Sequence, residues 1–267
     1  MGVRMRGKVA GFGVTAAAVA AIAAVSCISA TASASAAKPA AAERAQVVAA
    51  TSAKTVAAAP ASYAPPKRNL TEGMKGADVK ALQQRLAALK YNPGAADGQF
   101  GANTLEAVWA FQEVNGISAT GVVGPATKAA LVHPHTYRAH NPGQDSTRVE
   151  VNLNMRVLVL FKSGKIALIS HVSTGGGYYY CSNGSCGYAI TPTGIYRTTV
   201  YMSGWVKVPL GEMYNPVFFI GTAFAIHGDT YVPVYPASHG CVRVPMFIAQ
   251  FFHTLVKTPG TEVIIYK

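Results

Sequence analysis

Residues 148–170, RVEVNLNMRVLVLFKSGKIALIS, change the rhythm of the chain. Val149, Val151 and Leu153 alternate with polar residues; then VLVLF (157–161) and IALIS (166–170) flank Lys162-Ser163-Gly164-Lys165. Period-two alternation followed by two short apolar runs around a Gly-containing turn predicts a strand and then a hairpin. YRTTVYM and VFFI, set off by Gly and Pro, also read as strand, whereas MFIAQFFHTLV after Pro245 reads as a helix. The C-terminal part, residues 146–267, is therefore expected to be mainly β.

Upstream the period is different. From Leu70 to Leu131, Val79, Leu82, Leu86 and Leu89 recur at helical spacing, and Leu105, Val108 and Phe111 do so again. Gly98-Gln99-Phe100-Gly101-Ala102-Asn103-Thr104 and Gly121-Val122-Val123-Gly124-Pro125-Ala126-Thr127 share the form G-x-(F/V)-G-x-x-T, each where a helix should begin. Glycine permits a tight turn before a helix and Pro125 suits a first helical position, so residues 69–132 read as a bundle of three short helices. HPHTYRAHNPGQD marks a connection, residues 133–145.

The N-terminus places Arg4, Arg6 and Lys8 before an alanine-rich apolar run that ends in small residues, the pattern of a secretory signal over residues 1–36. Cys27 offers a competing reading as the lipidated first residue of a lipoprotein. Residues 37–68, rich in Ala, Ser, Thr and Pro, bury too little to order themselves and read as a disordered tether. The formal charge of +12 falls to +9 once the three basic residues of the signal are removed. A basic exported protein meets anionic wall polymer, and no basic run with interleaved aromatics suggests nucleic acid.

Loss of the signal leaves Cys181, Cys186 and Cys241. Cys181 and Cys186 bracket Ser-Asn-Gly-Ser, a turn-forming tetrapeptide that brings their side chains together as a disulfide; two free thiols or a partial metal site is the alternative. Cys241, in ASHGCVRV (237–244), is then left over. A cysteine nucleophile needs a base, and both His239 and His227 of AIHGDT are candidates. The rival is zinc, since His227, His239 and Cys241 are all competent ligands, although His239 and Cys241 stand only two residues apart. His133, His135, His140, His171 and His253 have no partner motif and read as surface or linker residues.

Two family resemblances now stand on these residues. LQQRL (82–86), DGQFG (97–101), Thr104-x-x-Ala107-Val108-x-x-Phe111-Gln112 and TGVVGPAT (120–127) resemble the three-helix peptidoglycan-binding domain. His227-Gly228, then Ser238-His239-Gly240-Cys241-Val242-Arg243, with VSTGGG (172–177) and TPTGIYR (191–197), resemble the L,D-transpeptidase catalytic domain of YkuD type. The segment between the two His motifs is shorter than in several members, which suggests a smaller lid.

The resemblance implies a multidomain protein with an L,D-transpeptidase-like β-sandwich preceded by a small all-α bundle. It also implies Cys241 as nucleophile and His227 as base, oriented by the carbonyl of Gly228. His239 and Gly240, with the Cys241 backbone, would line an oxyanion site; Ser238 and Arg243 would support the turn or meet a substrate carboxylate. No metal or cofactor is expected. The implied partners are peptidoglycan stem peptides and glycan, with carbapenem-type β-lactams as covalent inhibitors, for a wall-associated monomer. The implied reaction is acyl transfer from a tetrapeptide stem to a second stem; an L,D-carboxypeptidase and a non-catalytic wall-binding protein are the alternatives.

Overall fold

The computed structural model describes residues 63–144 and 146–267; the expected signal, Cys27 and the tether up to residue 62 lie outside the described residues. Three helices come first, α1 (Ala77–Ala88), α2 (Ala102–Val114) and α3 (Pro125–Val132). The two G-x-(F/V)-G-x-x-T repeats receive the same clamp. The Gln83 amide accepts from the Gly98 N–H (2.8 Å) and donates to the Gln99 carbonyl and Thr104 Oγ1 (both 3.0 Å). Gln112 does the same to Gly121 N (2.9 Å), the Val122 carbonyl and Thr127 Oγ1 (both 3.0 Å). Both glutamines are buried, and each satisfies donor and acceptor alike, so the turn before each helix is fixed from the helix preceding it.

The rest is a two-sheet sandwich. One sheet runs β3-β2-β1-β11-β6, built from β1 (Arg148–Asn152), β2 (Val157–Lys162), β3 (Lys165–His171), β6 (Gly194–Arg197) and β11 (Glu262–Tyr266). The other runs β10-β9-β8-β7, from β7 (Trp205–Val208), β8 (Gly211–Ile220), β9 (Phe224–Asp229) and β10 (Val242–Pro245). A separate hairpin joins β4 (Tyr179–Ser182) to β5 (Ser185–Tyr188), and α4 (Met246–Leu255) packs on β8, β9 and β10. Ser163-Gly164 (φ 47° and 71°) and Asn183-Gly184 (φ 50° and 77°) close the β2–β3 and β4–β5 hairpins. Positive φ at both central residues marks the turn whose twist matches the flanking strands.

The apolar run of β2 is continuous because both its faces are covered. Leu158 and Leu160 join Val149, Val151, Ile226, Val242, Val244 and Val263 between the sheets. Val157, Val159 and Phe161, with Ile169 of β3, point the other way, into one cluster with Leu82, Leu86, Phe111 and Leu131 of the helices. The helical module is thus packed on the outer face of the first sheet rather than hung from it.

Backbone and linker bonds reinforce that packing. Ile169 N donates to the Lys90 carbonyl (2.8 Å), and Tyr91 forms a parallel bridge to Ile169. In the connection, His135 N donates to Asn115 Oδ1 and His140 N to Glu150 Oε2 (both 2.8 Å). Glu150 is itself buried against Arg148 (2.8 Å), whose guanidinium lies 4.0 Å over the Phe161 ring.

The expectation for the lone histidines needs two corrections. His133, His135 and His140 are outside, but His253 is half-buried in α4 with its ring stacked 4.2 Å from that of Tyr201, and His171 is buried, with its Nδ1 2.9 Å from Glu113 Oε2 of α2. Burial of an imidazole follows from its having polar partners on both sides, which a reading of neighbouring residues does not reveal.

Candidate active site

The two sequence motifs meet through parallel pairing of β9 and β10, in which Arg243 lies beside His227 and Val242 beside Ile226. Side chains alternate faces along a strand, so Ile226, Val242 and Val244 enter the core. His227, Arg243 and, two residues back, Cys241 take the opposite face. There they line one cleft of about 890 Å³ together with Ser238, His239 and Asp229.

Each group in the cleft is tuned by its surroundings. His227 is 4% exposed, and its Nδ1 donates to the Gly228 carbonyl at 2.9 Å. A carbonyl only accepts, so Nδ1 carries the proton and Nε2 keeps its lone pair. Burial holds this imidazole below the usual histidine range, partly offset by that bond and by Asp229. The Cys241 thiol is half-buried beside Met213, Phe218 and Ala225. Burial pushes it up, opposed by the Ala225 backbone and the Arg243 cation. Both shifts favour the uncharged forms, a thiol and an imidazole that line one cleft.

Gly228 could not be otherwise: a Cβ there would lie 2.7 Å from Ala249 Cβ. Gly240 is held at φ 138°, where a Cβ would lie 2.6 Å from Phe224 Cε1 and 2.9 Å from the Ile190 carbonyl. Ser238 is buried and shapes the turn, its Oγ accepting from Gly240 N (3.0 Å) and donating to the Cys241 carbonyl (2.6 Å). Of the two roles expected for Ser238, these bonds are those of turn support. One expectation changes: the Gly240 N–H expected at an oxyanion is engaged by Ser238 Oγ. The Gly240 carbonyl is also taken, by Thr191 Oγ1 of the TPTGIYR motif (2.7 Å).

The Arg243 Nε stands 3.1 Å from Asp229 Oδ2, both partly buried, an ion pair by distance in which the Nε–H itself is not aimed at the carboxylate. The His239 ring packs against the edges of Tyr178 and Tyr180, with centroids 5.4 and 4.8 Å away, and is also held low, first by burial and then by Arg243.

The cleft walls come from segments outside the two His motifs. The short segment between those motifs contributes only Asp229 and Thr230. One wall is the β4–β5 hairpin, with Tyr180 and Cys186; the other is the β7–β8 hairpin, with Trp205 and Met213. Cys181 and Cys186 stand opposite one another in register and form a disulfide, Cα atoms 4.0 Å apart. The Asn-Gly turn between them is the signal for the pair; nothing local to Trp205 or Met213 marks them as cleft residues.

Comparison with known proteins agrees with this architecture. Residues 75–131 match the model of a peptidoglycan binding domain, and residues 146–265 that of the L,D-transpeptidase catalytic domain. The crystal structure of the L,D-transpeptidase (residues 123–326) from Xylanimonas cellulosilytica DSM 15894 is 36% identical, with a TM-score of 0.70. That alignment covers 76% of this chain and all of that one. N-acetylmuramoyl-L-alanine amidase CwlL of Bacillus licheniformis is 44% identical over 64 residues, 23% of this chain and 18% of that protein. Zinc D-Ala-D-Ala carboxypeptidase of Streptomyces albus G is 46% identical over 63 residues, 22% of this chain and 24% of that protein. The chain thus spans less than a quarter of these two curated relatives. The full coverage of the Xylanimonas structure, with the catalytic-domain match over residues 146–265, shows that the chain belongs to the L,D-transpeptidase family.

Proposed function

We propose that this protein is an exported, wall-associated transpeptidase that uses Cys241 as its nucleophile and joins peptidoglycan stems by 3-3 cross-links. The observation that carries the reading is the Nδ1 bond of His227 to the Gly228 carbonyl, which leaves Nε2 as a proton acceptor in the cleft that holds Cys241. The Cys241 sulfur attacks the carbonyl of the amide between the third, diamino residue and the terminal D-Ala of a donor tetrapeptide. His227 Nε2 takes the thiol proton and returns it to the departing D-Ala amine. The thioester is then opened by an amine of a second stem, which loses its proton to the same nitrogen, and the thiol is regenerated.

Backbone N–H groups of His239 and Cys241 meet the developing oxyanion, with the Gly240 donor committed to Ser238. Arg243 is held beside the site by Asp229. The same acylation captures β-lactams of carbapenem type, with ring opening in place of D-Ala release.

The test is incubation with disaccharide-tetrapeptide, followed by mass analysis of protein and products. A thioester mass on the protein and a cross-linked dimer are expected, and both vanish in Cys241→Ala. Tripeptide without dimer would mean that water is the acceptor, the carboxypeptidase reading; an adduct persisting in Cys241→Ala would remove the assigned nucleophile.

A further inference from the structure

The stretch Ser173–Gly176 binds the end of the loop that leads into the catalytic turn, from Tyr235 to Ser238, and then Arg243. Ser173 Oγ donates to the Tyr235 carbonyl (2.8 Å), and Ala237 N and Ser238 N both donate to the Thr174 carbonyl (2.9 Å). Gly176 N donates to the Ser238 carbonyl (2.9 Å), and Ser173 and Arg243 exchange backbone bonds of 3.1 and 2.8 Å. His171 stands at the head of this zip. Its Nε2 lies 3.2 Å from the Val232 carbonyl and 3.1 Å from the Pro233 carbonyl, while Nδ1 meets Glu113 Oε2 at 2.9 Å. Both carbonyls only accept, so Nε2 carries a proton directed at the loop, and a second proton is shared between Nδ1 and the Glu113 carboxyl.

The other end of the strut is equally fixed. Glu113 belongs to α2 of the helical module, is buried, and takes Arg156 Nε on its other oxygen at 3.2 Å. The Trp109 ring, also on α2, stacks edge-on against the His171 ring at 5.5 Å. Glu106, one helical turn before Trp109 and two before Glu113, is pushed up to about 7 by burial in this cluster. A buried ring with polar atoms engaged on both edges transmits position rather than filling space.

We infer that His171 is a positioning residue for the catalytic loop, a hydrogen-bonded strut by which α2 of the helical module fixes the Val232–Pro233 backbone and, through the zip, the Ser238–Cys241 turn. This builds on the function proposed above, but it concerns the geometry at Cys241 and not the acyl acceptor. It makes the helical module part of the machinery that places the nucleophile. His171 touches no substrate, so its loss acts on kcat and not on KM.

Three variants decide it: His171→Asn, which shortens the strut; Glu113→Leu, which cuts it; and Glu113→Gln, whose amide donates to Nδ1 and keeps it. Each is measured for far-UV circular dichroism, for the rate of Cys241 alkylation by iodoacetamide, and for kcat and KM on disaccharide-tetrapeptide. Folded His171→Asn and Glu113→Leu should lose about 10- to 100-fold in kcat and several-fold in alkylation rate, with KM within about twofold. Glu113→Gln should stay within about threefold of the parent. A folded His171→Asn with parental kcat and alkylation rate, or a Glu113→Gln as slow as Glu113→Leu, overturns the strut. If His171→Asn does not fold, the contrast between Glu113→Leu and Glu113→Gln decides the matter. If the parent shows no turnover, the transpeptidase reading fails on its own, and the alkylation rates still test the strut.

Discussion

Cutting the chain before Ser146 should leave a catalytic domain that cannot hold itself in solution. Val157 and Val159 are fully buried, and Phe161 and Ile169 are each 3% exposed, all four within the cluster they share with α1, α2 and α3. Burying such a side chain contributes about 1.5–3 kcal/mol, so uncovering the four removes about 6–12 kcal/mol. A domain of this size is stable by only about 5–15 kcal/mol in total. The loss is of the same order as the whole, and it comes with an exposed apolar face on β2 and β3.

The assay is size-exclusion chromatography and thermal unfolding of residues 146–267 beside the full chain. The fragment should aggregate or melt at least about 12 °C lower, given roughly 2–4 °C for each kcal/mol in a chain of this length. Exchanging Val159 and Ile169 for Thr should make the fragment more soluble while destabilising the full chain, because the same hydroxyls are solvated in one and buried in the other. A monomeric fragment that melts within a few degrees of the full chain would refute the reasoning.

Two further outcomes follow from the site. Gly240→Ala places a Cβ 2.6 Å from Phe224 Cε1 at a φ of 138°, so the turn must shift; acylation by a carbapenem should slow by about 100-fold, and a parental rate in stopped-flow measurements would contradict the tight fit. His227 is held below 6.5, so the acylation rate should rise with pH to a half-maximum below 6.5 and be flat by pH 7.5; a midpoint above 7 would show that another group is the base.

The residues that carry local geometry can be read directly. Alternation in Val149–Leu153 marks β1, and Ser163-Gly164 and Asn183-Gly184 mark the two hairpins, because two-residue turns are written in their own residue types. The pairing of Cys181 with Cys186 follows from turn chemistry, and the placing of His227 and Cys241 in one cleft from motif. What stays hidden depends on contacts between distant segments. VLVLF looks the same whether one face or both are buried, so the seating of the helices on β2 is not legible. His171 is a single histidine at a strand end until Glu113, 58 residues earlier, and Val232, 61 residues later, are brought to it. Gln83 and Gln112 sit in recognisable motifs, yet their clamps need the folded turn to exist.

Under the mechanism proposed above, in which Cys241 is the nucleophile, the electrostatics of the cleft bear on when its thiolate forms. Burial raises Cys241 and lowers His227, so both shifts oppose charge separation and the neutral pair is the resting state. An ion pair formed in advance would give a thiolate open to oxidation at all times. A neutral thiol is protected until a carbonyl arrives to receive the electron pair, when His227 Nε2 can take the proton and the Arg243 cation can favour the charge that develops. That protection lowers reactivity, and the loss is offset only if the geometry is already correct, because a thiol that must lose its proton during attack has little tolerance for misplacement. The Ser238 bonds, the glycines at 228 and 240, the zip from Ser173 to Gly176 and the inferred His171 strut all bear on the same few atoms. Under the proposed mechanism, placement supplies what a depressed thiol pKa supplies elsewhere, and the inferred strut ties the Ser238–Cys241 turn as far back as a helix of the neighbouring module.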